Sequence, residues 1–379
     1  MRGYLDHNAT SPLAPEVIAA MQDAFAIFGN ASSIHRQGSE ARYAVEKARR
    51  TIAKCIGAAQ PEELIFTSGG SESNALAIRG AAFAARRAGR GAHLITSAAE
   101  HKAVLENFES LRAIHGFEVT ILGVDQHARA KASDLVKALR KDTVLVSLML
   151  ANNEVGSLQD VGALARIVHE HSGALFHTDA VQAPGRVLLD LAAIGVDLAS
   201  IGCHKAHGPK GIGALYRRTG IALDSQIGGG AQEFGLRAGT ENVSGIAGFA
   251  AAMKLSQERF SVDSVAMIAL RERLWGAISN SIPPVVRNSP EAGCLPNTLN
   301  VSIPGQEGTS LVRKLDERGF SVSAGSACTS GGEIASSHVL AAMGFDESRC
   351  RSALRISLGR STSEEEVIEF ASALGEVAK

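Results

Sequence analysis

From Leu64 to Tyr216 short apolar runs alternate with helical patterns, and this alternation constrains the fold more than any other feature of the chain. Leu64–Phe66, His93–Thr96, Val119–Leu122, Val144–Leu150, Ala174–His177, Val196–Ile201 and Gly211–Tyr216 read as strands. Helical spacing falls between them, from Asn74, from about Lys102, near Ala132–Leu139 and near Val161–Glu170. Such repetition predicts a large α/β domain of three layers, a mostly parallel sheet with helices on both faces. The flanks read differently. Pro15 and Glu16 suit a helix start, and Ser39–Ile56 carries an apolar stripe through Ala41, Val45, Ala48, Ile52 and Cys55. Ser244–Phe260 and Val262–Ser279 read as two successive helices. Beyond Pro283-Pro284, strands at Thr298–Ile303 and Phe320–Ser323, a helix near Ser310–Arg318 and a last helix from Glu364 predict a smaller α+β domain. A chain of 379 residues exceeds the usual size of one core, so two domains are expected.

Charge and cysteine usage narrow the function classes. Lys+Arg 38 against Asp+Glu 39 leaves no field that would favour nucleic acid as a direct partner. No apolar run reaches the roughly 18 residues of a membrane span, and the first 15 residues lack the apolar segment of a signal peptide. The five cysteines are odd in number and lack CxxC spacing, which predicts reduced thiols in a cytoplasmic protein and no metal site of its own.

Two strand ends carry the chemistry. The run Val196–Ile201 delivers His204 and Lys205 into a turn closed by Gly208 and Pro209. A lysine between two buried strands would have a lowered pKa and a nucleophilic amine, as a Schiff-base lysine needs; a solvated turn lysine is the alternative on this stretch alone. One strand earlier, Ala174-Leu-Phe-His-Thr-Asp179 ends in a carboxylate. That pairing is what pyridoxal 5'-phosphate requires, a lysine for the imine and an aspartate to keep the pyridine nitrogen protonated. Thr67-Ser-Gly-Gly-Ser-Glu-Ser-Asn74, between strand and helix, reads as an anion cradle, with an ordinary helix cap as the alternative. It is neither a Walker A loop nor a GxGxxG fingerprint. Cys328 stands amid Ser, Ala and Gly without an apolar stripe, the setting of an accessible nucleophile. Arg355, inside a strand-like run, suits a carboxylate partner.

These motifs resemble those of the NifS/IscS cysteine desulfurases, in the class V aminotransferase group of fold-type I PLP-dependent transferases. HTDAVQA at 177–183, CHKAHGPKG at 203–211, TSGGSESN at 67–74, EHKAVL at 100–105 and SAGSACTSG at 323–331 carry the likeness, which spans nearly the whole chain. The resemblance implies a large domain over 16–260 and a small one from 1–15 and 261–379. It places Gly70, Ser71, His101, Asn153, Asp179, Gln182, Gly202, His204 and Lys205 at the cofactor, and Asn153 and Arg355 at the substrate carboxylate. Thr240, in a glycine-rich segment, would reach the phosphate of the neighbouring subunit of a homodimer. Lys205, His101 and Cys328 would be catalytic. The implied reaction converts L-cysteine to L-alanine and leaves a persulfide on Cys328 for a sulfur-acceptor protein such as an iron–sulfur scaffold, where Cys328 would also be a transient cluster ligand. A selenocysteine lyase or another PLP-dependent C–S lyase of the same fold is the alternative, ahead of a non-enzymatic scaffold. Gly202 departs from the pattern, because many relatives carry a phosphate-binding serine there. Glu333-Ile-Ala-Ser-Ser departs too, replacing a shorter Leu-Glu-Pro-Ser after the nucleophile. Cys203, beside His204, is the remaining cysteine expected to be open to modification.

Overall fold

The computed structural model describes residues 2–282, 284–325 and 336–379. Its centre is a seven-stranded sheet ordered Leu64–Thr67, Gly213–Arg217, Leu198–Gly202, Leu175–Asp179, Thr143–Ser147, His93–Ser97, Glu118–Leu122. Only Gly213–Arg217 runs against the rest; it is antiparallel to both neighbours, so Leu64–Thr67 points the same way as the other five. The three layers follow from period-2 alternation. Leu64, Phe66, Ile95, Val146, Phe176 and Tyr216 pack on one face, with the helices Arg36–Cys55, Val161–His171 and the start of Val243–Ser281. Ile65, Leu94, Leu145, Leu175 and Leu215 pack on the other, under Gly70–Arg87 and Lys102–Ala113.

The two successive helices expected between 244 and 279 are one helix, Val243–Ser281. Ser261 and Val262 are indifferent helix formers, not breakers, so nothing interrupts the hydrogen-bond ladder there. Its first half sends Ile246 and Phe249 into the large core, and its second half sends Leu274 and Ile278 into a separate core with Val301, Leu354 and Phe370. That second core surrounds a four-stranded sheet containing Thr298–Ser302 and Ala353–Ser357. The N-terminal strand Gly3–Tyr4 pairs in parallel with Phe320–Ser321, and Leu5 is buried in the same core. No helix among the described residues is long and apolar enough to cross a membrane.

The glycine-rich segment before the long helix is tied down rather than free. Glu233 is buried, and its carboxylate accepts from Arg49 Nη1 at 2.8 Å, Arg49 Nη2 at 2.7 Å and the Phe66 amide at 2.7 Å. The Arg49 guanidinium lies over the Phe66 and Phe234 rings, with Glu233 and Phe234 at positive φ. A fully bonded buried pair of this kind fixes register, and removing one partner alone would strand a charge.

Candidate active site

Strand ends that share one edge of a parallel sheet create the crevice in which α/β proteins bind ligands. Here that edge opens into a cavity of about 360 Å³. Lys205 follows Leu198–Gly202, Asp179 ends Leu175–Asp179, Asn153 lies beyond Thr143–Ser147, and His101 lies beyond His93–Ser97. All four line the cavity, together with Gly70, Ser71, Gln182, His204 and Arg355. Of the sequence-derived site residues, Gly202 and Thr240 are not part of the lining, and Cys328 lies outside the described residues. Thr240 is exposed.

The turn after Leu198–Gly202 holds Lys205 by its backbone. His207 adopts φ 60°, and its Nδ1 bonds Pro12 O at 3.0 Å. The carbonyl of His204 accepts from the Ser11 amide at 2.8 Å, and that of Lys205 accepts from Arg186 Nη2 at 3.2 Å. Burial pushes the Lys205 amine down to about 8; Asp179 opposes the shift, and Arg355 and Arg186 reinforce it. Lys205 is half-buried and lines the cavity. Asp179 is buried, accepting from Asn74 Nδ2 at 2.8 Å and from the Val181 amide at 3.0 Å. Asn74, on the cavity lining, has a buried Oδ1 without a hydrogen-bond partner among the described residues.

His101 caps the helix Lys102–Ala113, its Nδ1 accepting from the Ala103 amide at 3.0 Å. Burial lowers its pKa, Lys205 and His338 push the same way, and Asp179 opposes them. A neutral ring whose Nδ1 accepts must carry its proton on Nε2. His101 is thus a donor. Its neighbour Glu100 is fully buried and pushed up to about 8 by that burial, with Ser97 and the Met149 amide on Oε1.

Arg355, 7% exposed, finds its carboxylate within the chain: Nη2 donates to Asp6 Oδ1 at 2.6 Å, and Nη1 to Asn153 O at 3.2 Å. Asp6 in turn accepts from Ser323 Oγ at 3.1 Å. Asp6 thereby aims a guanidinium on the cavity lining. Asn8, also on the lining, bonds Asn153 O, Thr298 Oγ1 and Asn297 Nδ2. Sequence reasoning missed Asp6, Asn8, Asn74, Arg186 and the lining residues Glu154 and His338. Their partners lie up to 349 residues away, beyond the reach of any spacing rule.

The anion cradle is the first turn of a helix starting at Gly70, not the loop before a helix from Asn74. Its leading N–H groups have no intrahelical acceptor, and the dipole adds positive potential. The glycine at 202 has a packing cause. A Cβ there would lie 2.8 Å from Val181 Cγ1, and one on Gly70 would lie 2.5 Å from Val181 Cγ2. Val181 occupies the space of both missing side chains, so a serine at 202 would force the Val181 side chain to shift. We expect Gly202→Ser alone to cost about 1–3 kcal/mol by overpacking. The double variant Val181→Ala/Gly202→Ser should recover part of that loss, with a coupling of about 0.5 kcal/mol or more between the two sites in thermal unfolding. Additive effects would show that Val181 is not the obstacle.

Cys203 is corrected by the structure. It is fully buried in the large core, a Cβ on Gly208 would clash with its sulfur, and burial raises its thiol well above the usual range. No modifying reagent reaches it. Cys55 is half-buried against the same core. Among the described residues, no group of three or more His, Cys, Asp or Glu side chains is arranged to hold a metal ion.

Comparison with known proteins adds a family to this geometry. The class-V aminotransferase family matches residues 3–370. The cysteine desulfurase IscS of Dictyoglomus turgidum is 45% identical over 365 residues, 96% of this chain and 91% of that protein. A solved NifS-like protein superposes with a TM-score of 0.93 at 39% identity, covering 100% of this chain and 99% of that one. The structure of SspA in complex with cysteine gives a TM-score of 0.81 at 36% identity, over 95% of this chain and 99% of SspA.

Proposed function

Because the chain belongs to the class-V aminotransferase family, as a cysteine desulfurase of the NifS/IscS type, we propose that Lys205, His101, Asp179, Arg355 and Cys328 carry its reaction, with pyridoxal 5'-phosphate as cofactor. One observation supports this most: a lysine amine lowered to about 8 and a buried carboxylate share a cavity with a carboxylate-binding arginine.

The residues fit the cofactor. Lys205 would hold it covalently, and Asp179, braced by Asn74 and the Val181 amide, would hold its ring nitrogen. Gln182 Nε2 would donate to its phenol oxygen, and Ser71 with the first-turn amides of Gly70–Arg87 would hold its phosphate. The absence of a hydroxyl at 202 leaves that last task to backbone N–H groups. When bound, the cofactor supplies an electron sink for bonds changing at the substrate Cα.

The chain's own groups do the rest. Arg355 and Asn153 hold the carboxylate of L-cysteine. Lys205, once free, takes the Cα proton, and His101 donates from Nε2. The Cys328 thiolate attacks the substrate Sγ. An S–S bond forms, the Cβ–Sγ bond breaks, Cβ gains a proton, the proton taken by Lys205 returns to Cα, and the products are L-alanine and Cys328 persulfide. Substrate Cβ is reduced by two electrons and the two sulfurs of the new S–S bond are oxidised by one each, so no outside oxidant is needed. The persulfide then passes to a sulfur-acceptor protein. Thr240 serves the partner subunit of a homodimer, a reading supported by exposed Phe28, Ile34 and Tyr43 on the N-terminal helices and loop.

The test is product analysis with L-cysteine and a thiol reductant. Alanine and sulfide in equal amounts are expected. Pyruvate and ammonia in place of alanine would make the protein a β-eliminating lyase.

A further inference from the structure

Arg186 enters neither the sequence-derived site nor the cavity lining, yet it touches two residues that do. It is 7% exposed. Nη1 donates to Gln182 Oε1, and Nη2 donates to His7 O at 2.9 Å and to Lys205 O at 3.2 Å. Each of these acceptors is neutral, and no carboxylate pairs with this guanidinium among the described residues. A buried charge without a counter-ion is costly, and a fold has easier ways to tie three oxygens together.

The contacts assign the Gln182 amide by chemistry. A guanidinium can only donate, so the atom facing Arg186 is Oε1. The opposite atom donates to the carbonyl of Asn8 at 3.1 Å, so it is Nε2. One Nε2 hydrogen remains for the cavity.

Building on the desulfurase reading, we propose that Arg186 is a positioning residue of the reaction: it locks Gln182 with its nitrogen toward the cavity, pins the Lys205 backbone, and sets an unneutralised positive charge behind the lysine. That charge favours the neutral amine. Lys205 faces Asp179 from one strand end, His101 from the cap of Lys102–Ala113, Arg355 and Asp6 from the small-domain side, and His204 in its own turn. Asp179 and Asp6 favour the protonated amine, and Arg186 and Arg355 oppose them.

The test compares holoenzyme of wild type, Arg186→Gln, Arg186→Lys, Gln182→Glu and Gln182→Leu. Two quantities are read: the pH midpoint of the visible absorbance of the Lys205-bound cofactor, and the separate kcat and KM for L-cysteine. For Arg186→Gln we expect the midpoint to move up by about one unit, from the lost neighbouring charge. Its kcat should fall about tenfold to a hundredfold from the misplaced groups, with KM nearly unchanged. Arg186→Lys keeps the charge but not the fork, so its midpoint should stay while kcat falls. Gln182→Glu leaves Arg186 in place and neutralises it but also removes the donor facing the cofactor, so its midpoint should rise above that of Gln182→Leu, which removes the donor and keeps the charge; the difference reads the charge even if Arg186→Gln does not fold. An unmoved midpoint in Arg186→Gln, a Gln182→Glu midpoint no higher than that of Gln182→Leu, or a wild-type kcat in Arg186→Lys, overturns the proposal. A wild type that binds no pyridoxal phosphate would sink the functional reading itself, and this inference with it.

Discussion

Cys328→Ala is expected to lower sulfide release from L-cysteine by about three orders of magnitude or more, the scale seen when a catalytic nucleophile is deleted. The cofactor should remain bound, because none of the groups proposed to hold it is changed. Cys328 lies outside the described residues. Gly325, before it in the chain, lines the cavity. The described chain resumes beyond it, and His338 lines the cavity again. No other cysteine offers a substitute. Burial raises the thiols of Cys55, to about 11, and of Cys203, Cys294 and Cys350, which suppresses their thiolates. Alanine and sulfide assays on the purified variant check this. Undiminished sulfide would mean that the substrate C–S bond breaks without attack by Cys328.

The legible part of this site was the part written in contiguous sequence. An apolar run followed by Asp179, or by His204 and Lys205, announces both a strand and what stands at its end. The alternation of such runs announces the sheet edge where they meet. The illegible part was relational. Asp6 with Arg355 and Asn8 with Asn153 become neighbours only once the N-terminal segment crosses between the two cores, and Arg186 meets Lys205 only because the strands before them pair. Gly202 read as a missing hydroxyl because its volume competitor, Val181, stands on another strand's exit. The anchoring of the glycine-rich segment was not legible, because the partner that fixes Glu233, Arg49, looks like one more solvated charge on an amphipathic helix. The break expected near Ser261 was a composition signal that a continuous backbone ladder overrode.

Lys205→Ala is expected to remove the covalent attachment of the cofactor and to lower kcat by about 10³- to 10⁴-fold, roughly the range of a lost general base and above. The pH dependence narrows the choice of group. With the amine at about 8, its neutral fraction rises with pH up to that value and levels off beyond it, so the wild-type rate should climb and then flatten. Glu100, also pushed to about 8, would give a profile of the same sign, since it too gains its basic form as pH rises. The profile alone therefore does not separate them. Position does: Lys205 lines the cavity, and Glu100 does not. His101 is no competitor, because its Nδ1 is committed to the Ala103 amide and its Nε2 already carries the proton. Small primary amines added to Lys205→Ala supply the missing base from solution. Rate recovery in proportion to their free-base concentration, measured as alanine formed, assigns proton transfer to Lys205. A variant that keeps a midpoint near 8 and ignores added amines would move the base to Glu100 and require a path from that buried carboxyl to the substrate.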